Sequence, residues 1–446
     1  MRKTVMMTAV TLVAASVVFF GCSKSSTASS GGAGSGKTGA HVAIQFMTLE
    51  GGILFQAYQT VIADFEKANP NITVEATSVP STQDFQTALK TKFAAGTPPD
   101  VYQYQDGAAL TQFAALGYLY DMTDQPFIKN TIPENFRLTT YQGRIYGFPL
   151  DYQTAGLFVN MDVMKKYPDV KVPENWGEFV SAMTQLKKEG LTYPLEMAGK
   201  NINNVAQFDF QYIAEVLLHK YPDYYKDLVA GKTHFTDPMF QTMFEKFAQI
   251  KQFMSPDSVG VDQDEATKRF IKGEAAFWIA HGSFTPRIRQ LGGPDFNFEV
   301  VPSVMQDNTA DRALLIGPVG SISIVKQSKY IDADLAFTSY FTSKPAAEVL
   351  VKQGGMLSDV TGVTAMPDPA YNPLIPWVSG QPGTHMVPVG PDLVWVPGIK
   401  DVMKSITQKW FMGTSIHDVL AEWQSQHEKL LQANPEYVKN INNEPY

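Results

Sequence analysis

The fold is decided by residues 41–78, which read HVAIQFMTLEGGILFQAYQTVIADFEKANPNITVEATS. Apolar and polar side chains alternate at 42–46 and again at 72–76, as they do in β-strands. Between these segments, the apolar residues of 55–65 recur at helical spacing, and an Asn-Pro pair at 69–70 ends the helical pattern. The stretch therefore predicts a strand, a helix and a second strand.

The same alternation continues along the chain. A helical pattern at 85–93 precedes a strand pattern at 101–104, and an Asn-x-x-Glu capping pattern at 175–178 opens another helix. Two more helices are predicted at 402–410 and 416–431. Strands that alternate with helices predict an α/β fold in which helices cover the sheets.

The first 21 residues have the pattern of a bacterial export signal. Two basic residues begin the chain, residues 4–21 carry no charge, and the only cysteine, Cys22, follows directly. This position predicts a lipoprotein in which residues 1–21 are removed and acylated Cys22 anchors the exported protein to the outer face of a membrane. Phe19 and Phe20 depart from the usual lipoprotein signal. An uncleaved N-terminal anchor helix and release by an ordinary signal peptidase are the alternatives.

Residues 22–40 are rich in serine and glycine and predict a flexible tether. Within them, residues 31–38 match the phosphate-loop pattern G-x-x-x-x-G-K-T. That motif binds phosphate where a buried strand leads into it and a helix leaves it. Here a polar run precedes the motif and a strand follows it, so we predict no nucleotide site.

Composition narrows the classes of partner. The net charge is −8, and it becomes −10 without residues 1–21, which contain two basic and no acidic residues. An acidic surface argues against nucleic acid as a partner. A single cysteine allows no disulfide within one chain, and no second long apolar run is present to span a membrane. A mature chain of about 400 residues favours two lobes over one core.

Several segments stand in a recognisable order along the chain. They are FEKANPNITV at 65–74, GTPPDV at 96–101, YQGRIYGFP at 141–149 with LFVNMD at 157–162 and PENW at 173–176, and FIKGEAAFW at 270–278. Together they resemble the extracellular solute-binding proteins of bacterial ABC importers, in the sugar-binding group that is similar to maltose-binding protein. The resemblance implies a type II periplasmic-binding-protein-like fold, with two α/β lobes and a ligand cleft between them.

The resemblance also implies how the chain divides. Lobe 1 would hold residues 41–150 and 316–353, and lobe 2 would hold residues 151–315 and 354–446, the latter with the C-terminal helices. The chain would cross from lobe 1 near residues 148–152, return near Gly317 and cross back near residues 354–355. A monomer is expected.

A sugar site needs aromatic faces and side chains that pair with hydroxyl groups. Thr48 and Glu50 follow the first strand, at the loop tip that faces the cleft in α/β binding folds. The resemblance places Tyr104 and Asp106 where the family has an aromatic residue and a carboxylate. Capping of the next helix is the alternative role for Asp106.

Further candidates rest on the resemblance alone. Gln153 stands where maltose-binding protein has a carboxylate, so neighbouring Asp151 is expected to take over its hydrogen bonds. Asp209, with Gln207, falls near two ligand contacts of the family, and a surface position is the alternative for both.

Two aromatic residues are candidate sugar platforms. Phe284 follows a small residue, as a stacking tryptophan does in the family, and a core position is its alternative. Trp395 precedes the predicted helix at 402–410, as a cleft tryptophan does, and packing within a lobe is its alternative. Trp278 lies in an apolar strand and is predicted to be core.

The predicted function is capture of a sugar or oligosaccharide in the cleft and its delivery to membrane permease subunits. No catalytic residue, cofactor or metal is expected, because the chain has no G-x-S-x-G or H-E-x-x-H motif and its seven histidines lack ligand spacing. A cationic ligand such as a polyamine is an alternative that carboxylates and aromatic rings would also suit. An exported carbohydrate-active enzyme is a further alternative, because the 44 acidic residues offer many carboxylate pairs.

Overall fold

The computed structural model describes residues 41–131, 133–200, 202–221, 223–388 and 395–440 of the 446-residue chain. The predicted signal segment, Cys22 and the predicted tether lie outside the described residues.

The strands are β1 (Val42–Thr48), β2 (Ile72–Ser78), β3 (Val101–Tyr104), β4 (Thr140–Tyr141), β5 (Arg144–Ile145), β6 (Phe148–Asn160), β7 (Leu195–Glu196), β8 (Phe277–His281), β9 (Phe298–Val301), β10 (Leu314–Ile324), β11 (Leu357–Ser358) and β12 (Met386–Pro388). The α-helices are α1 (Gly52–Ala68), α2 (Thr82–Ala94), α3 (Ala108–Ala115), α4 (Met161–Met164), α5 (Trp176–Lys188), α6 (Ile202–Tyr212), α7 (Tyr224–Val229), α8 (Pro238–Lys251), α9 (Gln263–Lys272), α10 (Thr285–Gly292), α11 (Ile331–Phe341), α12 (Lys344–Val349), α13 (Ile375–Val378), α14 (Ile399–Phe411), α15 (Ile416–Ala433) and α16 (Pro435–Asn440).

The predicted strand–helix–strand unit is confirmed as β1, α1 and β2. Strands β1 and β2 pair in parallel, and β3 pairs in parallel with the other edge of β1. Helix α1 buries the apolar face that includes Tyr58 and Phe65, and it ends at Ala68, with Asn69 as its C-cap before Pro70. The predicted capping pattern is also confirmed, because the Asn175 side chain accepts a hydrogen bond of 2.9 Å from the backbone N–H of Glu178 at the start of α5.

One sheet has the strand order β2-β1-β3-β10-β6-β8-β7. Strand β10 runs antiparallel to both β3 and β6, and it joins the parallel part of the sheet to the strands that follow. Strands β9 and β11 also pair with β6, and β12 pairs with β10. The sheet therefore has its parallel strands at one end and long antiparallel strands in the middle.

Strands β6 and β10 each contribute to two hydrophobic cores. Phe148 of β6 and Ile322 of β10 pack in a cluster with Ile44, which we call the lobe 1 core. Leu157 of β6 and Leu315 of β10 pack in a second cluster, which we call the lobe 2 core. The first two predicted crossings, near residues 150 and 316, fall on these two strands.

The third change of core comes later than the predicted boundary at residue 354. Met356, Val360 and Val363 still pack in the lobe 1 core, whereas Ala370 and Leu374 pack in a cluster with Trp278. The reason is strand β11, which pairs with residues 151–152 at the lobe 1 end of β6 and keeps the chain there. Among the described residues, no helix combines the length and apolar content needed to cross a bilayer.

Candidate ligand-binding site

Polar side chains collect where the parallel strands β1 and β3 end. The Thr48 hydroxyl donates a hydrogen bond of 2.7 Å to Oε1 of Gln103 and accepts one of 3.0 Å from the backbone N–H of Glu50. The amide of Gln103 in turn donates to Oε1 of Glu50 at 3.4 Å. Burial raises the pKa of Glu50 to about 7, and the bond from Gln103 offsets part of that rise. Thr48 and Glu50, predicted from the sequence, thus meet through Gln103.

Asp106 lies just beyond the end of β3. It is not a helix cap, because Gly107 occupies the N-cap position of α3 and no side chain caps that helix. Asp106 is 3% exposed, and its Oδ1 atom has no hydrogen-bond partner among the described residues. Burial raises the pKa of Asp106 to about 7, partly offset by the hydroxyl of Ser321 on the neighbouring strand β10.

Gly320 allows β10 to approach this point closely. It has a φ angle of +158°, and a Cβ atom on it would lie 2.5 Å from the carbonyl oxygen of Tyr104. The pairing of β10 with β6 shifts register on both sides of Gly320. A residue with a side chain would therefore push β10 away from the end of β3.

Asp151 and Asp359 approach the same place from β6 and from the end of β11. Strand β11 pairs Ser358 with Asp151, and Asp359 follows directly. Asp151 is 1% exposed, and neither carboxylate oxygen has a hydrogen-bond partner among the described residues. Burial raises its pKa well above the usual range, and the charges of Glu50, Asp359 and Asp106 raise it further.

Asp359 has one amide partner. The side chain of Asn135 donates a hydrogen bond of 2.8 Å to its Oδ1 atom. Burial raises the pKa of Asp359 to about 7, and Asp106 adds to the effect. We call Glu50, Asp106, Asp151 and Asp359 the carboxylate cluster.

The hydroxyl of Tyr58 on α1 belongs to the same region. Tyr58 is fully buried, and its hydroxyl has no hydrogen-bond partner among the described residues. Burial raises its pKa well above the usual range, and the charges of Asp151 and Glu50 raise it further. A buried hydroxyl without a partner is costly. A ligand group that formed a hydrogen bond with the Tyr58 hydroxyl would therefore be stabilising.

The carboxylate cluster is not arranged as a metal centre. Within the described ranges, no three His, Cys, Asp or Glu side chains are placed so that they could hold one ion. The arrangement can instead form hydrogen bonds with a polar ligand, with oxygen acceptors on the carboxylates and donors on Gln103 and Tyr58.

The family follows from the match along the chain. A family model described as bacterial extracellular solute-binding protein matches residues 52–348. The chain belongs to this family. The matched range includes Asp106 and Asp151 of the carboxylate cluster, whereas Glu50 precedes it and Asp359 follows it.

Individual relatives agree with the family assignment. The chain is 34% identical over 143 residues to the multiple sugar-binding protein of Streptococcus mutans, a match that covers 31% of this chain and 32% of that protein. It is 20% identical over 312 residues to the melibiose/raffinose/stachyose-binding protein MelE of Bacillus subtilis, covering 69% of this chain and 72% of that protein.

A solved structure establishes the likeness in fold. The apo form of RafE from Streptococcus pneumoniae superposes with a TM-score of 0.75 at 18% identity, covering 88% of this chain and 98% of that one. The predicted type II periplasmic-binding fold, built from two α/β lobes, is confirmed.

Five of the predicted site residues lie in or beside the carboxylate cluster. Thr48, Glu50, Asp106 and Asp151 do so through the contacts described above. Tyr104 ends β3 two residues before Asp106, and its ring stacks on Phe85 with centroids 4.7 Å apart. Gln153 lies on β6 opposite Gly317, and its side chain lies outside the described part of the structure.

The other three predicted residues lie elsewhere. Asp209 is fully buried, rather than on the surface, and accepts a hydrogen bond from Thr407 between α6 and α14. Phe284 packs against Trp278, with ring centroids 5.2 Å apart. Trp395 is 1% exposed and stacks on Tyr225 in the lobe 2 core, at 4.2 Å between centroids. For Phe284 and Trp395 these contacts match the alternative role, packing within a lobe.

Sequence reasoning missed Gln103, Tyr58 and Asp359. Gln103 had a usable signal, because it directly precedes Tyr104 at the end of a predicted strand. Tyr58 reads as an ordinary member of the apolar face of α1. Asp359 gave no signal, because only the pairing of β11 with β6 brings it to the site.

Proposed function

We propose that this protein captures a sugar or oligosaccharide for an ABC importer and delivers it to the permease subunits in the membrane. The observation that carries the proposal is the group of buried acceptors and donors at the ends of β1 and β3, in a member of the solute-binding family. Carboxylate and amide side chains pair with the hydroxyl groups of a sugar, whereas apolar solutes would leave them without partners.

The relatives support carbohydrate as the class of ligand. Two of them are named for multiple sugars and for melibiose, raffinose and stachyose. The proposed contacts are Thr48, Glu50, Asp106 and Asp151, to which the structure adds Gln103 and Asp359, with Tyr104 and Gln153 beside them. Ligand would bind these groups and favour the closed arrangement of the lobes, in proportion to its extra affinity for that state.

The family consists of binding proteins, and we propose that this member likewise has no catalytic activity. Buried carboxylates that hold a sugar and carboxylates that cleave it are alike in sequence, so turnover is the discriminating measurement. The ligand should be recovered intact after prolonged incubation with the protein. Release of smaller sugars would contradict the proposal.

We further propose export, anchoring of a monomer through acylated Cys22, and division of the chain into two lobes with the bounds given by the sequence, except that the third crossing comes after Val363. For anchoring, Cys22→Ser is expected to move the protein from the membrane to the soluble fraction and to abolish incorporation of labelled fatty acid, because no other thiol is present. Fractionation with acyl labelling measures both. Retention of the variant on the membrane with residues 1–21 still attached would instead identify an uncleaved anchor.

Calorimetric titration with neutral oligosaccharides tests the proposed site. Gln103→Ala is expected to weaken binding at least tenfold, since the amide holds Glu50 and Thr48 in place. Gln45→Ala is a matched control on the adjacent strand β1, because the Gln45 amide bonds the exposed Glu75 away from the cluster. Equal affinity of both variants would contradict the assignment of the site.

A further inference from the structure

We infer that the carboxylate cluster selects a carbohydrate that carries a protonated amino group over the corresponding neutral sugar. The inference rests on the proposed function and adds the chemical class of the ligand. Its first support is the balance of charge at the site. Among the described residues, no lysine or arginine forms an ion pair with any of the four carboxyl groups.

All charges that act on the centre of the cluster have the same sign. The pKa of Asp151 on β6 is raised by the charges of Glu50 after β1, Asp106 after β3 and Asp359 after β11. Tyr152, the neighbour of Asp151 on β6, is in turn affected by the charge of Asp359. Buried carboxylates are normally paired with a cation or lose their charge by taking up protons. Burial accordingly raises the pKa of Glu50, Asp106 and Asp359 to about 7.

The available hydrogen bonds point to the same kind of ligand. Glu50 and Asp359 each have an amide donor, whereas both oxygens of Asp151 and one oxygen of Asp106 have none. The buried Tyr58 hydroxyl is an independent group without a partner at this place. An ammonium group supplies three donors together with one positive charge, whereas a sugar hydroxyl supplies one donor and no charge. Only the ammonium group satisfies both the oxygen atoms and the charge.

The pH dependence of binding follows from the same groups. The pKa values of Glu50, Asp106 and Asp359 lie at about 7, so these carboxyls are largely protonated at pH 5.5 and partly charged at pH 7. A cationic ligand binds the charged form, whose population rises over this interval. Affinity for the amino sugar should therefore increase about tenfold from pH 5.5 to pH 7, whereas affinity for the neutral sugar should not increase.

The test is calorimetric titration of the whole protein with three ligand series of equal length. Glucosamine, galactosamine and mannosamine and their oligosaccharides are compared with the N-acetylated forms and with the parent neutral sugars. We expect the amine to bind at least tenfold more tightly at pH 7 than either counterpart. Neutral sugars that bind as well as the amines would overturn the inference and leave the proposed function intact. Absence of any carbohydrate binding would overturn both.

Two variants test whether the preference for the amine depends on the carboxylate cluster. Asp151→Asn should reduce the preference for the amine, measured as the ratio of the amine's affinity to that of the neutral sugar, to less than threefold. Asp334→Asn is the matched control, because Asp334 is another buried carboxyl group that lies on α11 near Asp100, outside the cluster. An unchanged preference in Asp151→Asn, or equally tight binding of spermidine, would contradict selection of an amino sugar at this site.

Discussion

Replacing Asp106 by asparagine is expected to remove one large contribution to the pH dependence of the stability of the ligand-free protein. Burial raises the pKa of Asp106 from 3.8 to about 7. Between these values the folded protein keeps the proton and the unfolded chain loses it, so the free energy of unfolding falls as pH rises through this interval. For this one group the loss is on the order of 4 kcal/mol, fully present above the folded pKa and absent below about pH 4.

Urea unfolding at pH 5 and pH 8, without ligand, measures this effect. The asparagine variant should be slightly more stable than the unchanged protein at pH 5 and much more stable at pH 8, because it carries no charge to bury. Asp64→Asn is the control, because Asp64 is exposed on α1. If the variant and the unchanged protein lose stability in parallel from pH 5 to pH 8, the pKa of Asp106 is not raised by its buried surroundings.

Trp395→Ala is expected to cost about 3–5 kcal/mol of unfolding free energy, the usual result of emptying a large core site. The indole is 1% exposed, lies face to face with Tyr225 and also contacts Phe235. The backbone N–H of Val396, the next residue, donates a hydrogen bond of 2.7 Å to the Tyr225 hydroxyl, which ties the stacked pair to the chain. Loss of the indole should therefore loosen the packing of α7 against the segment that leads into α14.

Denaturant unfolding and calorimetric titration together decide the role of Trp395. We expect a large loss of stability with ligand affinity changed less than threefold. Trp377→Ala, in the short helix α13, should cost clearly less, because Trp377 is only partly buried. A tenfold loss of affinity with stability preserved would restore the sugar platform that the sequence suggests for Trp395.

The fold was largely predictable because its signals are local. The apolar face of α1, its end at Ala68 and the cap at Asn175 depend on residues close together in the sequence. Family resemblance then supplied the arrangement of the lobes, which no local pattern contains. The third change of core was placed too early because β11 is only two residues long and carries no periodic pattern.

The site was predictable where it follows directly from strand ends. Glu50 and Asp106 come two residues after β1 and β3, and parallel strands bring their carboxyl ends to one edge of a sheet. Asp359 reaches the same edge only through strand pairing across about two hundred positions of the chain, which sequence reasoning cannot see. The sequence could not decide between the two roles of Phe284 and Trp395, because tryptophan and phenylalanine are equally typical of a sugar platform and of a core.

Strands β6 and β10 are shared by both cores, and this determines whether either half of the protein could be exchanged or produced separately. Each half of the protein is assembled from separate stretches of the chain, and each needs one end of the same two strands. Neither half is a contiguous module that a gene rearrangement could exchange or that could be produced by itself. Unfolding of either core would also remove hydrogen-bond partners from β6 and β10, on which the other core depends. The two halves should therefore unfold in one cooperative transition.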